Sequence, residues 1–210
     1  SISTTERDWK TPYGIVKTDQ RIIHEFQDRG LAVVNEAVMK EEHSIYSLVP
    51  FIAKAAPKSR LVSLALPEKI SKEKLDNLAF ELGRILPDDA VIVASIDFSH
   101  YQTPTVADFH DELTKNIIRT FDYDRLDRLE VDSVSSLFVF LKLMENRGTQ
   151  TIAHELHTNS GTLVGAPDAK ETTSHYSPYF VKGPKSEIEK AVSILHFGDI
   201  MLDRNVKKQI

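Results

Sequence analysis

The chain has 210 residues, a formal net charge of -5 at neutral pH, and hydrophobic and charged fractions of 41% and 27%. These values are typical of a soluble globular protein with a single α/β domain, and the acidic balance argues against nucleic-acid binding. The chain contains no cysteine, which excludes disulfides, thiolate metal ligands and a cysteine nucleophile. No apolar run reaches membrane-spanning length, so we predict no membrane contact for this segment.

Apolar runs and amphipathic stretches alternate in the first part of the chain. The predicted elements are, in order, a helix at 19–27, a strand at 31–35, a helix from His43, a strand at 60–66 and a helix that opens at Ser71. Pro50 should kink the helix that begins at His43, because proline disrupts a helix interior. Ser71 is a typical N-cap residue.

The same alternation continues in the second part. The predicted elements are a strand at 90–96, a helix from Thr103–Pro104, a helix from Ser133 to about Asn146, a strand at 149–156, a loop or edge at 157–174 and a strand at 176–181. The first of these helices carries an apolar stripe that we expect in the core, formed by Val106, Phe109, Leu113, Ile117 and Phe121. This order predicts an α/β fold with a mostly parallel sheet and helices on both faces.

A change of composition at Gly183 predicts a domain boundary. We expect an α/β domain at 1–182, a linker at 183–192 and the opening strand of a second, truncated domain at 193–210. The chain begins with Ser1 rather than methionine, which indicates a segment of a longer protein. The compartment of that protein, cytoplasmic or envelope-associated, stays open.

The strongest candidate site follows the strand predicted at 90–96. Asp97 and His100 come directly after this apolar run, where functional groups of open α/β sheets gather. A histidine oriented by a carboxylate can act as a base or proton shuttle, or can lie at the edge of a metal site. The alternative is an aspartate that caps the following turn beside an exposed histidine.

Other polar residues give weaker signals. Glu42 and His43 open a helix, where a capping role competes with a site role. His154 and His157 lie three positions apart in a predicted strand and should face opposite sides, so a metal pair is not expected. No partner is evident for His24, His110 and His175. Asp199 follows an apolar run and could bind a divalent cation.

Three motifs in the chain resemble those of the Memo family, also called AmmeMemoRadiSam system protein B. The first is Thr11-Pro12-Tyr13-Gly14, followed by Asp19-Gln20. The second is Glu42-His43-Ser44-Ile45 before Val49-Pro50, where the family often has Leu-Pro. The third is Ser95-Ile96-Asp97-Phe98-Ser99-His100-Tyr101, which is similar to the signature Ser-x-Asp-Phe-x-His. The resemblance covers roughly residues 8–182.

The resemblance implies a fold like that of the class III extradiol dioxygenases, with a polar cleft at the strand ends and its N-terminal strands missing from this segment. It implies catalytic roles for His100 and Asp97. It places His43, Glu42, Ser95 and Tyr101 in the cleft, where a small molecule or peptide would bind.

The metal site implied by the resemblance is incomplete in this sequence. The family's histidine motifs Pro-His-Ala-Gly and Gly-Pro-x-His do not occur in it. A third ligand position falls near Glu130-Val131-Asp132, where Val131 stands for a family cysteine and Asp132 or Glu130 could serve instead. A divalent ion (iron, copper or zinc) is therefore expected only in a longer protein, and this segment alone should be inactive.

The segment Leu195–Arg204 resembles the opening of a CapA-like domain of poly-gamma-glutamate capsule synthesis, with Asp199 as a metal ligand. Two functional hypotheses follow. The first is a Memo-like protein with a metal-dependent or redox role and an undefined reaction. The alternative is a non-catalytic binding module, with a decayed metal site, fused to a CapA-like polymer-synthesis protein.

Overall fold

The computed structural model describes residues 1–187. Its helices are α1 (Gln20–Asp28), α2 (Glu36–Glu41), α3 (His43–Tyr46), α4 (Val49–Ala55), α5 (Lys72–Ile85), α6 (Pro104–Thr120), α7 (Val134–Asn146) and α8 (Ser160–Leu163), with a 3₁₀ helix at Tyr123–Arg128. Its strands are β1 (Ser3–Thr4), β2 (Trp9–Thr11), β3 (Gly14–Thr18), β4 (Val33–Val34), β5 (Arg60–Leu61), β6 (His100–Gln102), β7 (Thr151–Asn159) and β8 (Thr172–Val181). Most of the predicted linker, the predicted CapA-like strand and Asp199 lie outside the described residues.

The strands form three small sheets, and the predicted α/β class is confirmed. The pairing is more mixed than the predicted parallel sheet. β1 pairs with β4 and β3 with β5 in parallel, whereas β2–β3, β6–β8 and β7–β8 are antiparallel. The β7–β8 ladder is antiparallel, and residues 160–171, which include the short helix α8, connect its two strands.

The strand predicted at 90–96 is extended but pairs with no other strand in residues 1–187. Val91 and Val93 are 84% and 63% exposed. An open groove separates this segment from Tyr176–Phe180 of β8. Hydrogen bonding to β8 begins at Phe98, whose N–H donates to the Ser174 carbonyl at 3.2 Å. The prediction of a paired strand is therefore wrong here, because β-branched residues favour extended backbone without supplying a partner.

Helices α5 and α7 pack against each other around the main core. Ser71 caps α5 as predicted, with its hydroxyl accepting from the Lys74 N–H. Leu78 of α5 and Leu141 of α7 are almost fully buried, and α1 contributes Phe26. Phe98 belongs to the same core, so this cluster anchors the polar segment that follows residue 96.

The helix predicted to kink at Pro50 is instead two short helices. α3 ends at Tyr46 and α4 begins at Val49, so Pro50 lies in the first turn of α4. Proline is tolerated there because the first-turn N–H groups have no partner within the helix. Val49 of α4 is buried beside Val16 of β3 in a second, smaller cluster.

Helix α6 buries only the C-terminal part of the predicted stripe, where Ile117 and Phe121 are 0% and 2% exposed. Val106, Phe109 and Leu113 are 38%, 76% and 39% exposed. The buried face instead carries Ala107, Asp111, Thr114, Ile117 and Ile118, which also follow helical spacing. The prediction of a core position is therefore wrong for Val106, Phe109 and Leu113. The polar side chains of the buried face find hydrogen-bond partners in the surrounding chain instead. Asp111 is the clearest case.

Candidate functional site

The carboxylate of Asp97 lies between two imidazoles. His100 Nε2 is 3.7 Å from Asp97 Oδ2, and His175 Nδ1 is 3.9 Å from Asp97 Oδ1. The β6–β8 ladder, in which His100 faces Thr173, brings the end of the extended segment alongside β8. The side chains of Asp97, His100 and His175 are 47%, 29% and 41% exposed. Solvent and a small ligand can therefore reach a carboxylate able to stabilise an imidazolium on either side.

Asp132 adds a second carboxylate to this cluster. Its Oδ1 accepts from the Asp97 N–H at 3.1 Å, and its own N–H donates to the Asp97 carbonyl at 3.0 Å. Partial desolvation raises the pKa of Asp132. The Asp97 N–H acts against this rise, the Asp97 charge adds to it, and His100 and His43 lower it. His43 belongs to α3, and no hydrogen bond or ion pair among the described residues joins it to Asp97, His100 or Asp132.

The raised pKa of Asp132 gives a pH-dependent prediction. The pKa of the Asp132 carboxyl group is raised in the folded state above its ordinary 3.8. Its contribution to the free energy of unfolding therefore falls as the pH rises from that value. Asp132→Asn keeps the Oδ1 acceptor and removes the charge. We expect the variant to be more stable than the parent near neutral pH, by roughly a few tenths of a kcal/mol because the residue is exposed. The difference should vanish at low pH, where the aspartate is protonated.

Urea unfolding of both proteins across this pH range measures the effect. Asp168→Asn is the control, since Asp168 is an exposed loop residue. A variant that is less stable than the parent at neutral pH, or a difference independent of pH, contradicts the assignment.

The other predicted site residues fall into different roles. Glu42 caps α3, because its Oε1 accepts from the N–H and the hydroxyl of Ser44 at 3.2 and 2.7 Å. Ser95 is half-buried in the extended segment. Tyr101 is 79% exposed, and its ring centroid lies 5.8 Å from that of His100. Glu130 pairs with His110 Nδ1 at 2.8 Å.

A buried network lies directly behind the cluster. The Ser99 hydroxyl donates to Asp111 Oδ1 at 2.8 Å, and His157 Nε2 lies 2.7 Å from Asp111 Oδ2. Sequence reasoning missed His175, Asp111 and His157. Nothing in the local pattern marks them, because each meets its partner through a strand or helix distant in sequence.

The described residues do not by themselves fit a divalent metal ion. Within residues 1–187, no group of three or more histidine, aspartate or glutamate side chains has the arrangement needed to hold one. In this cluster the imidazoles and carboxylates face one another instead. A carboxylate between two imidazoles permits proton exchange with either of them.

These features define an α/β protein with a histidine–carboxylate cluster at the end of an extended apolar segment. A family model described as Memo-like protein matches residues 1–179. The chain therefore belongs to the Memo family.

Curated relatives agree with this assignment. A MEMO1 family protein of Methanosarcina mazei is 29% identical over 181 residues, which cover 80% of this chain and 66% of that protein. One from Caldivirga maquilingensis is 25% identical over 187 residues, covering 85% and 66%. One from Pyrococcus horikoshii is 33% identical over 103 residues, covering 46% of this chain and 35% of that protein. The matched regions thus span about one third to two thirds of these relatives.

Proposed function

We propose that this chain carries the acid–base groups of a Memo-family protein of the AmmeMemoRadiSam system protein B type, with a metal-dependent or redox role. The supporting observation is the position of Asp97 between His100 and His175, with Asp132 behind it. An open cluster of this kind can take up a proton at one imidazole while the carboxylate stabilises the charge.

Each residue then has a chemical role. His100 Nε2 accepts or donates the proton, and Asp97 Oδ2 stabilises the imidazolium through charge. The exposed ring of Tyr101 and the half-buried Ser95 would contact a small molecule or peptide beside His100.

The divalent ion, whether iron, copper or zinc, remains a proposal for the longer protein. The residues described here would contribute at most an edge of its site, with Asp132 as the ligand nearest the cluster. We derive no step through the metal. Metal analysis of the longer protein, with His43→Ala and His100→Ala alongside, tests this part.

A general-base reporter tests the acid–base role without knowledge of the natural substrate. In the elimination of 5-nitrobenzisoxazole, a base removes the ring C–H proton, the N–O bond breaks, and a nitrile and a phenolate form. We expect His100→Ala to lower kcat/KM at least about tenfold, within the usual range for losing a general base. The melting temperature should barely change, because the side chain is partly exposed and surface substitutions usually alter stability by less than about 0.5 kcal/mol.

His24→Ala is the matched control. His24 Nε2 lies 3.7 Å from Glu6 Oε1, the same separation as in the His100–Asp97 pair, but outside the cluster. The control should retain the parent rate. Equal rates in the parent and His100→Ala, or an equal loss in both variants, would refute the acid–base role.

A second candidate is a binding module without catalysis, fused to a CapA-like polymer-synthesis domain. Two observations favour it: Glu42 is used as a helix cap, and residues 1–187 contain no metal-holding group. The sequence of the longer protein discriminates. Both histidine motifs upstream of Ser1 support the metal-dependent protein, and loss of both supports the binder. A complete CapA-like domain after residue 193 tests the fusion.

A further inference from the structure

The acid–base site proposed above lies on a segment that makes hydrogen bonds to buried residues on its inner side. We propose that Asp111 and His157 are positioning residues, which fix the histidine segment (residues 97–101) through Ser99. The proposal rests on the proposed function, because His100 is the group being positioned. Its evidence, however, lies in a separate set of hydrogen bonds.

Asp111 is a buried carboxylate with two partners. It has 0% exposure on the inner face of α6. The Ser99 hydroxyl donates to Oδ1, and His157 Nε2 lies 2.7 Å from Oδ2. With the carboxylate ionised, which can only accept, Nε2 is the donor. A buried charge is costly unless it is paired and hydrogen-bonded. Loss of His157 would therefore leave Asp111 half paired and free to turn away from Ser99.

Ser99 transmits this pairing to the histidine segment. It is fully buried, and its carbonyl accepts from the Ser174 N–H at 2.9 Å. The preceding N–H, of Phe98, donates to the Ser174 carbonyl at 3.2 Å. The segment is thus bonded to β8 through its backbone and to α6 through one side chain. His100 and Asp97 lie one and two residues from that side-chain contact.

The backbone after His100 needs such support. Tyr101 has a φ of 56°, the left-handed region that residues other than glycine rarely adopt. Residues held in this region persist only when their surroundings over-determine them, and they cluster at functional sites. The ring of Tyr101 is exposed and cannot supply the restraint. The bonds made by Ser99 restrain the chain before Tyr101. After it, Thr172 Oγ1 donates to the Gln102 carbonyl at 3.1 Å.

The network is unsuited to be a nucleophilic triad. In such a triad the imidazole lies between the carboxylate and the hydroxyl and takes the hydroxyl proton. Here the carboxylate lies in the middle, and Ser99 is closed to solvent. Around His157, Asp108 Oδ1 lies 4.0 Å from Nε2, and the Tyr176 ring packs against the imidazole. These contacts orient His157 toward Asp111.

The test uses the full chain with His157→Leu, His157→Gln and Ser99→Ala. We expect His157→Leu and Ser99→Ala each to lower kcat/KM for 5-nitrobenzisoxazole at least about fivefold, mainly through kcat, because the base is misplaced. Glutamine restores an N–H donor and should recover most of the rate. The ring-proton chemical shifts of His100 should move in both impaired variants and return in His157→Gln.

A double variant separates transmission from independent damage. If His157 acts through Ser99, the double variant His157→Leu with Ser99→Ala shows no larger fall in kcat/KM than the more impaired single variant. Losses that multiply overturn the proposal, as do unchanged His100 shifts in His157→Leu. His154→Leu, an exposed position on β7, is the control and should match the parent. If the reporter reaction does not depend on His100, the proposed function fails, and the His100 shifts still decide the positioning role.

Discussion

Asp111→Ala should lower the free energy of unfolding by about 3 kcal/mol, the size expected when one partner of a buried charged pair is removed. The substitution removes a fully buried carboxylate and leaves the Ser99 hydroxyl and His157 Nε2 without their acceptor. Each buried polar group without a partner costs roughly 1–3 kcal/mol, and the vacated space adds to the loss. Urea unfolding followed by circular dichroism measures it.

Asp108→Ala is the neighbouring control on the same helix. Asp108 accepts a hydrogen bond from Asn159 Nδ2 at 3.0 Å, but its side chain is 49% exposed. Water can replace that bond, so the loss should stay below about 1 kcal/mol. If both variants lose less than about 1 kcal/mol of unfolding free energy, the Asp111 carboxylate is not the buried group with two hydrogen-bond partners described above.

Leu141→Ala should cost about 3 kcal/mol, because large-to-small substitutions of buried leucine remove transfer free energy and leave a cavity. Leu141 has 0% exposure on α7, in the cluster that α5 also lines. The measurement is the same urea unfolding curve, and the midpoint should fall without a change of slope.

Leu113→Ala is the matched comparison, since it makes the same chemical change on a different helix. Leu113 is 39% exposed on α6, although its spacing in the sequence places it in an apolar stripe. Its loss should be well under about 1 kcal/mol, as for other surface substitutions. A Leu113 variant as damaged as Leu141→Ala would show that the stripe is buried after all.

Local patterns were enough to predict much of the architecture. Ser71 caps a helix as predicted because its side chain satisfies an N–H group within the same turn, and this depends only on neighbouring residues. The same holds for α1, where Ile22, Ile23 and Phe26 follow helical spacing and are buried. The α/β class followed from the order of such elements.

The errors share a different physical origin. Whether the segment at 90–96 pairs as a strand, and which stripe of α6 is buried, depend on what the rest of the chain places opposite them. Asp111 is buried because Ser99 and His157 meet it, and neither is near it in sequence. For the same reason His175 could not be assigned to the cluster, whereas Asp97 and His100 lie close enough together to be paired by inspection.

Asp97, Asp132 and His175 of the cluster lie far apart in sequence, and this affects the order in which contacts form during folding. β7 and β8 are joined by a short connection and form the longest ladder, so their pairing closes a small loop at little entropic cost. The cluster joins the histidine segment to Asp132, 35 residues away, and to His175 on β8, and both contacts close long loops. Such contacts form late when topology controls the rate. We therefore expect the cluster to assemble last, so that a partly folded chain contains the β7–β8 ladder but not yet the histidine–carboxylate cluster.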